Sequence, residues 1–592
     1  MNKNPYDKNY FDYYGSLGLY DRSKEEWLLF FASIADGIKE KIDPKKVLEI
    51  GCAKGFLLEA LRDRGIDAVG IDISDYAISH VRSDIKAYCS VRTAAEPFND
   101  SYDLIVCMEV LEHLSEEEGC KVIKNICAHA SDVIFSSNPS YDHPDPTHQN
   151  VRPKEYWIRR FAENAFALDR EFDASFIASH AMRFKKRVFD ITFVAPGAGI
   201  SGGGKVILEY CNRLASVGHH INLVLLSNEN INWFELNSRI RIIHSSYEPS
   251  NFNRDIPDAD IIIATWWQTA PLVAQCSREK GRKFYLVQHY ESAAFSTPEY
   301  TDYTYWLPLQ KIVVSSWLKT VIEDITGEKA ELILSGIDFL QFHPIENYRE
   351  QYPKLDIRIG MIYRANKFKG FDDGLQAMEI VKKEYPEVKL ILMSSESVTQ
   401  GVKYDELWKS PPQAEIKNFY NSLDIFVSPS RLEGFYLPGL EAMTCGIPVV
   451  ATDAGGNMDY AIHGQTALLS PPSMPELLAK NIITVIKDKK LAQALRANAL
   501  EIASRFTWDR SITNILRLFI EGESSIRISD PKLTDYLIKE IIQTKQGFQE
   551  KDQLLEEKDR QIQNLLNTWS WKITVPIRKV FEIIRKLDRK SS

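Results

Sequence analysis

One rhythm constrains this chain more than any other feature: short apolar runs, each followed by a polar loop and a helical pattern, recurring from Lys46 to about residue 522. The first series is "KKVLEI", "DAVGID", "YDLIVCM" and "SDVIFSS"; the second is "RVFDITFVAP", "INLVLLS", "ADIIIATWW", "KFYLVQHY" and "KIVVSSW"; the third is "IRIGMIYR", "VKLILMS", "LDIFVSPS" and "IPVVATD". Strands alternating with helices require crossover connections and therefore parallel, doubly wound sheets. The rhythm weakens at the basic, unpatterned "ASHAMRFKKR" and breaks again at "FHPIENYREQYPKLD". The predicted units are 1–180, 187–345 and 346–522, the first with a helical cap around "KEEWLLFFASIADGIKEKI".

The tail departs from this pattern. Ile541, Phe548, Leu555 and Ile562 recur every seven residues, which suggests a coiled coil over 530–568. The second seam is imperfect, with Lys545, Asp552 and Asp559 at positions that want apolar side chains, so a solvated single helix is the competing reading. From Trp569 to residue 592 the chain carries seven Lys/Arg against two acids, with tryptophans on an apolar side. Such a basic amphipathic segment suits an anionic membrane surface; docking on the chain's own body or on a partner is the alternative. A net charge of −9 argues against a whole-chain nucleic-acid binder. The eight cysteines form no CxxC or zinc-spaced cluster and read as reduced thiols. The first residues lack the apolar core of a secretory signal, and no run of 18 apolar residues is present. The expectation is a cytoplasmic protein, peripheral on the cytoplasmic face of an inner membrane if the tail engages it.

Two stretches carry chemistry. In "VLEIGCAKGF" an apolar strand ends in Glu49, followed by Gly51 and Gly55. Glycines there let a cofactor approach the backbone, and the strand-end Asp72 in "VGIDIS" suits the two hydroxyls of a ribose. NAD is the rival cofactor, but its G-x-G-x-x-G spacing is absent because position 53 is Ala. This segment resembles the class I S-adenosylmethionine methyltransferases over about residues 45–170. The resemblance rests on Glu49–Gly55, Asp72, "TAAEPF" with Glu96, and "YDLIVCMEVLEHL" with Glu109, Glu112 and His113. It implies that Gly51 and Gly55 flank the methionine portion, Asp72 the ribose and Glu96 the adenine. His148 in "HPDPTHQNVRP" is the candidate general base for a hydroxyl acceptor; a structural loop histidine is the equal alternative.

The second stretch is "EGFYLPGLEAMTCGIPVVATD", with Glu433 and Glu441 in an apolar run. Pro438 suits the first turn of a helix. Glu441 is then expected in the opening turn, both acids facing the space before a helix N-terminus that favours an anion. Upstream, "GMIYRANKFKG" supplies Arg364 and Lys369, which can neutralise a diphosphate without metal. No DxD-type metal motif accompanies them, and no metal is expected anywhere in the chain.

These residues resemble the retaining GT-B glycosyltransferases of the family 4 type over about residues 187–522. The resemblance assigns Glu441 to the nucleotide ribose, Glu433 to the donor sugar, and Arg364 with Lys369 to the diphosphate. It places "GISGGGK", with Gly202 and Gly203, at the opening of a helix facing the donor, and Gly434 and Phe435 in the donor loop. His289 in "YLVQHYE" is implied as a cleft residue in reach of the donor sugar; a structural strand-end histidine is the other reading. One position departs from the family's E-G-F-G-L: Tyr436 replaces a glycine.

The fold class expected is thus α/β: a Rossmann-like methyltransferase domain, then a two-Rossmann-domain GT-B glycosyltransferase, then a helical tail. The function implied is transfer of a sugar from a nucleotide diphosphate donor to a glycan or lipid-linked glycan, with S-adenosylmethionine-dependent O-methylation of a sugar, in bacterial surface-polysaccharide synthesis. The alternative is one active module, with the other and the tail acting as a scaffold in an assembly.

Overall fold

The structure is a computed structural model that describes residues 5–521 apart from 14–18, 140–144, 146, 229–230, 248 and 295–297. The predicted coiled coil and basic segment, 530–592, lie outside the described residues.

The first sheet comprises β1 (Lys46–Ile50), β2 (Asp67–Asp72), β3 (Cys89–Val91), β4 (Leu104–Met108), β5 (Asp132–Ser136), β6 (Phe166–Leu168) and β7 (Met182–Lys186). Its order is β3-β2-β1-β4-β5-β7-β6, with β7 antiparallel to both neighbours and the other pairs parallel. The second comprises β8 (Asp190–Ala195), β9 (His220–Leu225), β10 (Ile240–His244), β11 (Ile261–Ala264), β12 (Arg282–Val287), β13 (Gln310–Val313) and β14 (Glu331–Leu332). Its order is β10-β9-β8-β11-β12-β13-β14, all parallel. The third comprises β15 (Ile357–Ile362), β16 (Val388–Ser394), β17 (Glu406–Lys409), β18 (Ile425–Ser428), β19 (Val449–Thr452) and β20 (Ala467–Ser470), in the parallel order β17-β16-β15-β18-β19-β20.

These Rossmann-like domains follow from strand composition. The central strands bury side chains on both faces: Ile261, Ile262, Ile263 and Ala264 of β11 are all fully buried, as are Leu104, Ile105, Val106 and Cys107 of β4. A strand covered by helices on both faces reads as a continuous apolar run rather than an alternation. In each sheet the strand order reverses beside the first strand of the unit, opening a crevice at the carboxyl ends of β1 and β4, of β8 and β11, and of β15 and β18.

The sequence boundary at 180 needs correction. "ASHAMRFKKR" contains β7, which lies inside the first sheet, so that sheet closes at Lys186. The strand was hidden by its charges. Arg183 is buried but ion-paired with Asp132 on β5 and with Asp169 at 3.6 Å, while Met182 and Phe184 supply the apolar contacts. A paired charge at an interior position breaks an alternation that apolar residues alone would have shown.

The three units are packed together. The helix Trp508–Glu521 leaves the third sheet and packs on the helix Gly202–Ser216 of the second and on Lys154–Ala162 of the first. Phe519 sits against Phe189 and Phe284, with ring centroids 6.0 and 5.3 Å away. Lys124 of the first unit reaches Asp509 at 3.3 Å. The Ile337 N–H, in the segment between the second and third sheets, donates to the carbonyl of Phe506, just before the same helix, at 2.9 Å.

Candidate active sites

At the β1/β4 crevice a cavity of about 470 Å³ is lined by Glu49, Gly51, Asp72, Thr93, Glu109, Glu112, His113 and His148, among others. Gly51 follows β1 with φ +74°, and an added Cβ would lie 2.4 Å from Val110, so a larger residue is excluded twice over. Asp72 ends β2. Its Oδ2 accepts the Ala53 N–H at 2.9 Å and its Oδ1 the Ser74 N–H at 2.8 Å, which aims the remaining lone pairs. Ala53 holds φ +48°, a left-handed conformation that glycine would adopt without strain. Glu49 is 4% exposed, and burial pushes its carboxyl well above the usual range. Its Oε2 has no hydrogen-bond partner in the protein. A buried carboxylate oxygen left unpaired is costly unless a ligand donates to it.

Glu49, Gly51, Asp72 and His148 are therefore brought to one cavity, and two predicted residues are not. Glu96 points outward, its side chain 66% exposed and 3.9 Å from Arg92, and Arg92, Thr93 and Ala94 line the wall in its place. The reason is local: the segment after β3 turns its acid toward an adjacent arginine. Gly55 caps the helix Phe56–Asp63 at φ +73°, packed toward Val81 and Ile85, and serves the turn rather than the cavity wall. The residues fit a nucleoside cofactor with a methionine-like tail: an oriented carboxylate for a diol, a backbone cradle, and an orphaned acid for an ammonium group.

The second site lies where the second and third sheets face each other. Gly434 is pressed against the Gln288 carbonyl; an added Cβ would sit 1.8 Å from it and 3.0 Å from the His289 Cα. The adjoining Glu433 is 4% exposed and held by the Lys369 ammonium at 2.8 and 2.9 Å. Its backbone is stapled by its N–H to the Ala454 carbonyl at 2.8 Å and by its own carbonyl accepting from Gly456 at 3.0 Å. Arg431, on the loop of Glu433, is bidentate to Asp373 of the helix Phe371–Glu384 at 2.8 and 2.9 Å and donates its N–H to the Phe368 carbonyl at 2.7 Å, which ties that loop to the turn carrying Lys369, an arrangement no sequence spacing had signalled. His289 faces Phe368 across the cleft at 5.3 Å between ring centroids. Both ring nitrogens are buried, and burial lowers the pKa of the imidazole.

Three expectations change here. The helix begins at Leu437 with no acid in its first turn, so Glu441 lies one turn deeper than expected. Its Oε1 takes the Lys205 ammonium at 2.9 Å and its Oε2 the Tyr420 hydroxyl at 2.8 Å. Lys205 closes "GISGGGK", so the glycine turn is joined to Glu441 across the cleft by an ion pair that the sequence reading missed. Phe435 is a core residue, its ring 5.7 Å from Tyr460 and 5.9 Å from Phe506, which leaves only its backbone for a ligand. Arg364 is engaged by Ser395 and by Glu396 at 3.4 Å, whereas Lys369 holds Glu433; the two cations have separate partners. Gly202 and Gly203 open the helix Gly202–Ser216, whose Ser201 side chain caps the Gly204 N–H at 3.0 Å.

Tyr436 occupies the left-handed region, φ +66° and ψ +69°. That conformation costs a non-glycine residue roughly 1–2 kcal/mol. The Tyr436 carbonyl accepts from the Tyr460 hydroxyl at 2.5 Å, and its half-buried ring packs on the core. The backbone shape of a glycine is thus retained and the side chain is absorbed by packing.

Glu291, just beyond His289, is fully buried. Its Oε2 accepts the Trp267 N–H at 2.9 Å and the Tyr285 hydroxyl at 3.0 Å, while burial pushes its pKa from 4.5 up to about 8. Below pH 4.5 both folded and unfolded chains hold this proton. Between 4.5 and about 8 only the folded chain holds it, so stability falls as pH rises through that window. Glu291→Gln is expected to flatten the decline in melting temperature between pH 5 and about 8; a variant whose melting temperature declines as steeply as wild type would refute the assignment.

Residues 345–501 match the family model of the group 1 glycosyl transferases, and residues 21–182 match a methyltransferase domain model. The chain therefore carries both domains. It is similar to the D-inositol 3-phosphate glycosyltransferase of Jonesia denitrificans, 26% identical over 32% of this chain and 51% of that protein, so it spans about half of that relative. It is 24% identical to the capsular polysaccharide biosynthesis glycosyltransferase CapM of Staphylococcus aureus, over 52% of this chain and 87% of that one. Among solved structures, sucrose-phosphate synthase from Thermosynechococcus elongatus covers 56% of this chain and 98% of its own, at 18% identity and a TM-score of 0.48.

Proposed function

We propose that this chain, in which a methyltransferase domain precedes a group 1 glycosyl transferase domain, is a bifunctional enzyme of surface-polysaccharide assembly. Its second and third sheets form a retaining glycosyltransferase that moves a sugar from a nucleoside diphosphate to a glycan or lipid-linked glycan. Its first sheet binds S-adenosylmethionine and O-methylates a sugar. The observation that carries the transferase reading is the buried Glu433 carboxylate held by Lys369 on the cleft wall, next to Gly434 where the two halves touch at the Gln288 carbonyl. When the bond from the anomeric carbon to the diphosphate breaks, its electron pair leaves on phosphate oxygen, and Lys369 and Arg364 are the cations to offset that charge. Glu433 would orient the sugar and Glu441 the nucleotide ribose. CapM is named for capsular polysaccharide, which supports the pathway class.

For the methyltransferase half, Asp72 would hold the ribose, Gly51 the backbone contact and Glu49 the amino group. The cofactor supplies an activated methyl group, and His148 would receive the acceptor's hydroxyl proton. The deciding experiment is a donor screen across UDP-, GDP- and dTDP-sugars with mass analysis of the product. The reading expects one nucleoside diphosphate to be released with net retention at the anomeric carbon; release from none of them, with acceptor glycans present, would sink it.

A further inference from the structure

We propose that Glu112, His113 and His148 form a divalent-cation site in the floor of the methyltransferase cavity. Their ligand atoms, one from each side chain, all lie within 4.8 Å of one another. All three residues line the same cavity as Asp72 and Glu49. Nothing in the sequence marked them as ligands, because Glu112 and His113 are adjacent and His148 is far along the chain.

The local structure builds this cluster deliberately. Glu109, the residue after β4, is held at φ +52°, and a single 3-10 turn, Leu111–His113, follows. Left-handed backbone at a residue with a long side chain is strain that surrounding structure must enforce. The enforcement is visible. The N–H groups of Gln149 and Asn150 both donate to the Glu112 carbonyl at 2.9 Å, and the Gln149 side-chain amide donates to the His113 carbonyl at 2.6 Å. The loop bearing His148 is thereby laced to the turn bearing Glu112 and His113, and the two imidazoles stand 4.7 Å apart.

Two features point to a cation rather than to a packed polar cluster. Glu112 is fully buried; its Oε1 accepts the Asn138 N–H at 3.1 Å, and its Oε2 has no hydrogen-bond partner in the protein. Glu109, the neighbouring acid, is exposed and engaged by His180 Nε2 at 2.8 Å, so it does not supply a donor to that buried oxygen. The other feature is the tautomer of His113. The Thr147 hydroxyl donates to Asp145 Oδ1 at 2.6 Å, so its oxygen is left to accept from His113 Nδ1 at 2.7 Å. That places the ring proton on Nδ1 and leaves a bare lone pair on Nε2. An imidazole whose far N–H is anchored by a hydroxyl and a carboxylate behind it is the arrangement that orients metal ligands. One carboxylate with two imidazoles suits a first-row transition ion such as Mn²⁺ or Zn²⁺ over Mg²⁺, which prefers an all-oxygen shell. On the proposed function, such an ion would hold the acceptor's hydroxyl oxygens next to the cofactor, and His148 would be its ligand rather than a lone base. The binding claim itself does not depend on that function.

The test uses the full chain, stripped with chelator and titrated with Mn²⁺ by calorimetry and electron paramagnetic resonance. One ion per chain is expected. Glu112→Gln and His148→Asn should each weaken binding at least 100-fold, and Thr147→Val roughly 10–100-fold, the scale for removing a group that orients a ligand. Mn²⁺ should raise the melting temperature of wild type and leave that of Glu112→Gln unchanged, while the two apo proteins melt alike because the amide oxygen still accepts the Asn138 N–H. No Mn²⁺ or Zn²⁺ binding by wild type, or undiminished binding by Glu112→Gln and His148→Asn, overturns the proposal. S-adenosylhomocysteine titrated into the same samples reports separately on the cofactor reading: its absence with Mn²⁺ bound would leave the cation site standing.

Discussion

Glu433→Gln is expected to lower nucleoside diphosphate release from the productive sugar donor by about 100-fold or more, the scale for removing one preorganised polar group from a reacting centre. The reason lies in how Glu433 is held. It is buried against the opposite half of the cleft, with both oxygens on Lys369 and its backbone stapled to residues 454 and 456. A neutral amide keeps the shape and loses the charge. Lys369 is then left facing the cleft without its counter-ion, and a sugar loses a strong acceptor for its hydroxyls. The loss should appear in turnover more than in stability, because the loop is also anchored through Arg431 and Asp373. Stopped product formation with an unchanged melting curve is the supporting result. Wild-type turnover in this variant would remove Glu433 from the site.

Asp72→Asn should weaken S-adenosylhomocysteine binding roughly 10²–10⁴-fold in calorimetry, the sum of two charge-assisted hydrogen bonds at about 1.5–3 kcal/mol each. Asparagine is nearly isosteric, so the Ala53 and Ser74 amides that now hold the carboxylate would keep one acceptor between them. Glu96→Gln serves as the control, since that side chain lies outside the cavity; it should bind the cofactor within a few-fold of wild type. Equal affinity in wild type and Asp72→Asn would show that the diol, if bound at all, is bound elsewhere.

How far each site could be read from the sequence depended on whether its signal is local. Strand ends carrying glycine or an acid are local, since the chain direction and the reversal of strand order deliver every carboxyl-terminal loop to one crevice. Glu49, Gly51 and Asp72 were legible for that reason, as were Lys369 and Glu433, which follow β15 and β18. Glu96 and Phe435 lie in equally suggestive stretches and turn away, one to Arg92 and the other to Tyr460 and Phe506. Side-chain direction at a loop is decided by the neighbours it finds there. Tyr436 teaches the converse: a glycine-like backbone persists without glycine when packing compensates the strain.

The chain's sequence by itself determined the α/β class, the order of its parallel-sheet domains and the strand-end residues of both sites, because hydrophobic period and strand-loop chemistry act over a few residues. Only the tertiary structure decided that β7 belongs inside the first sheet, that Lys205 meets Glu441 across the cleft, and that Glu112, His113 and His148 share one point in space. Those pairings join residues distant in the chain, and their energy comes from burial and mutual satisfaction of polar groups, which no local pattern encodes.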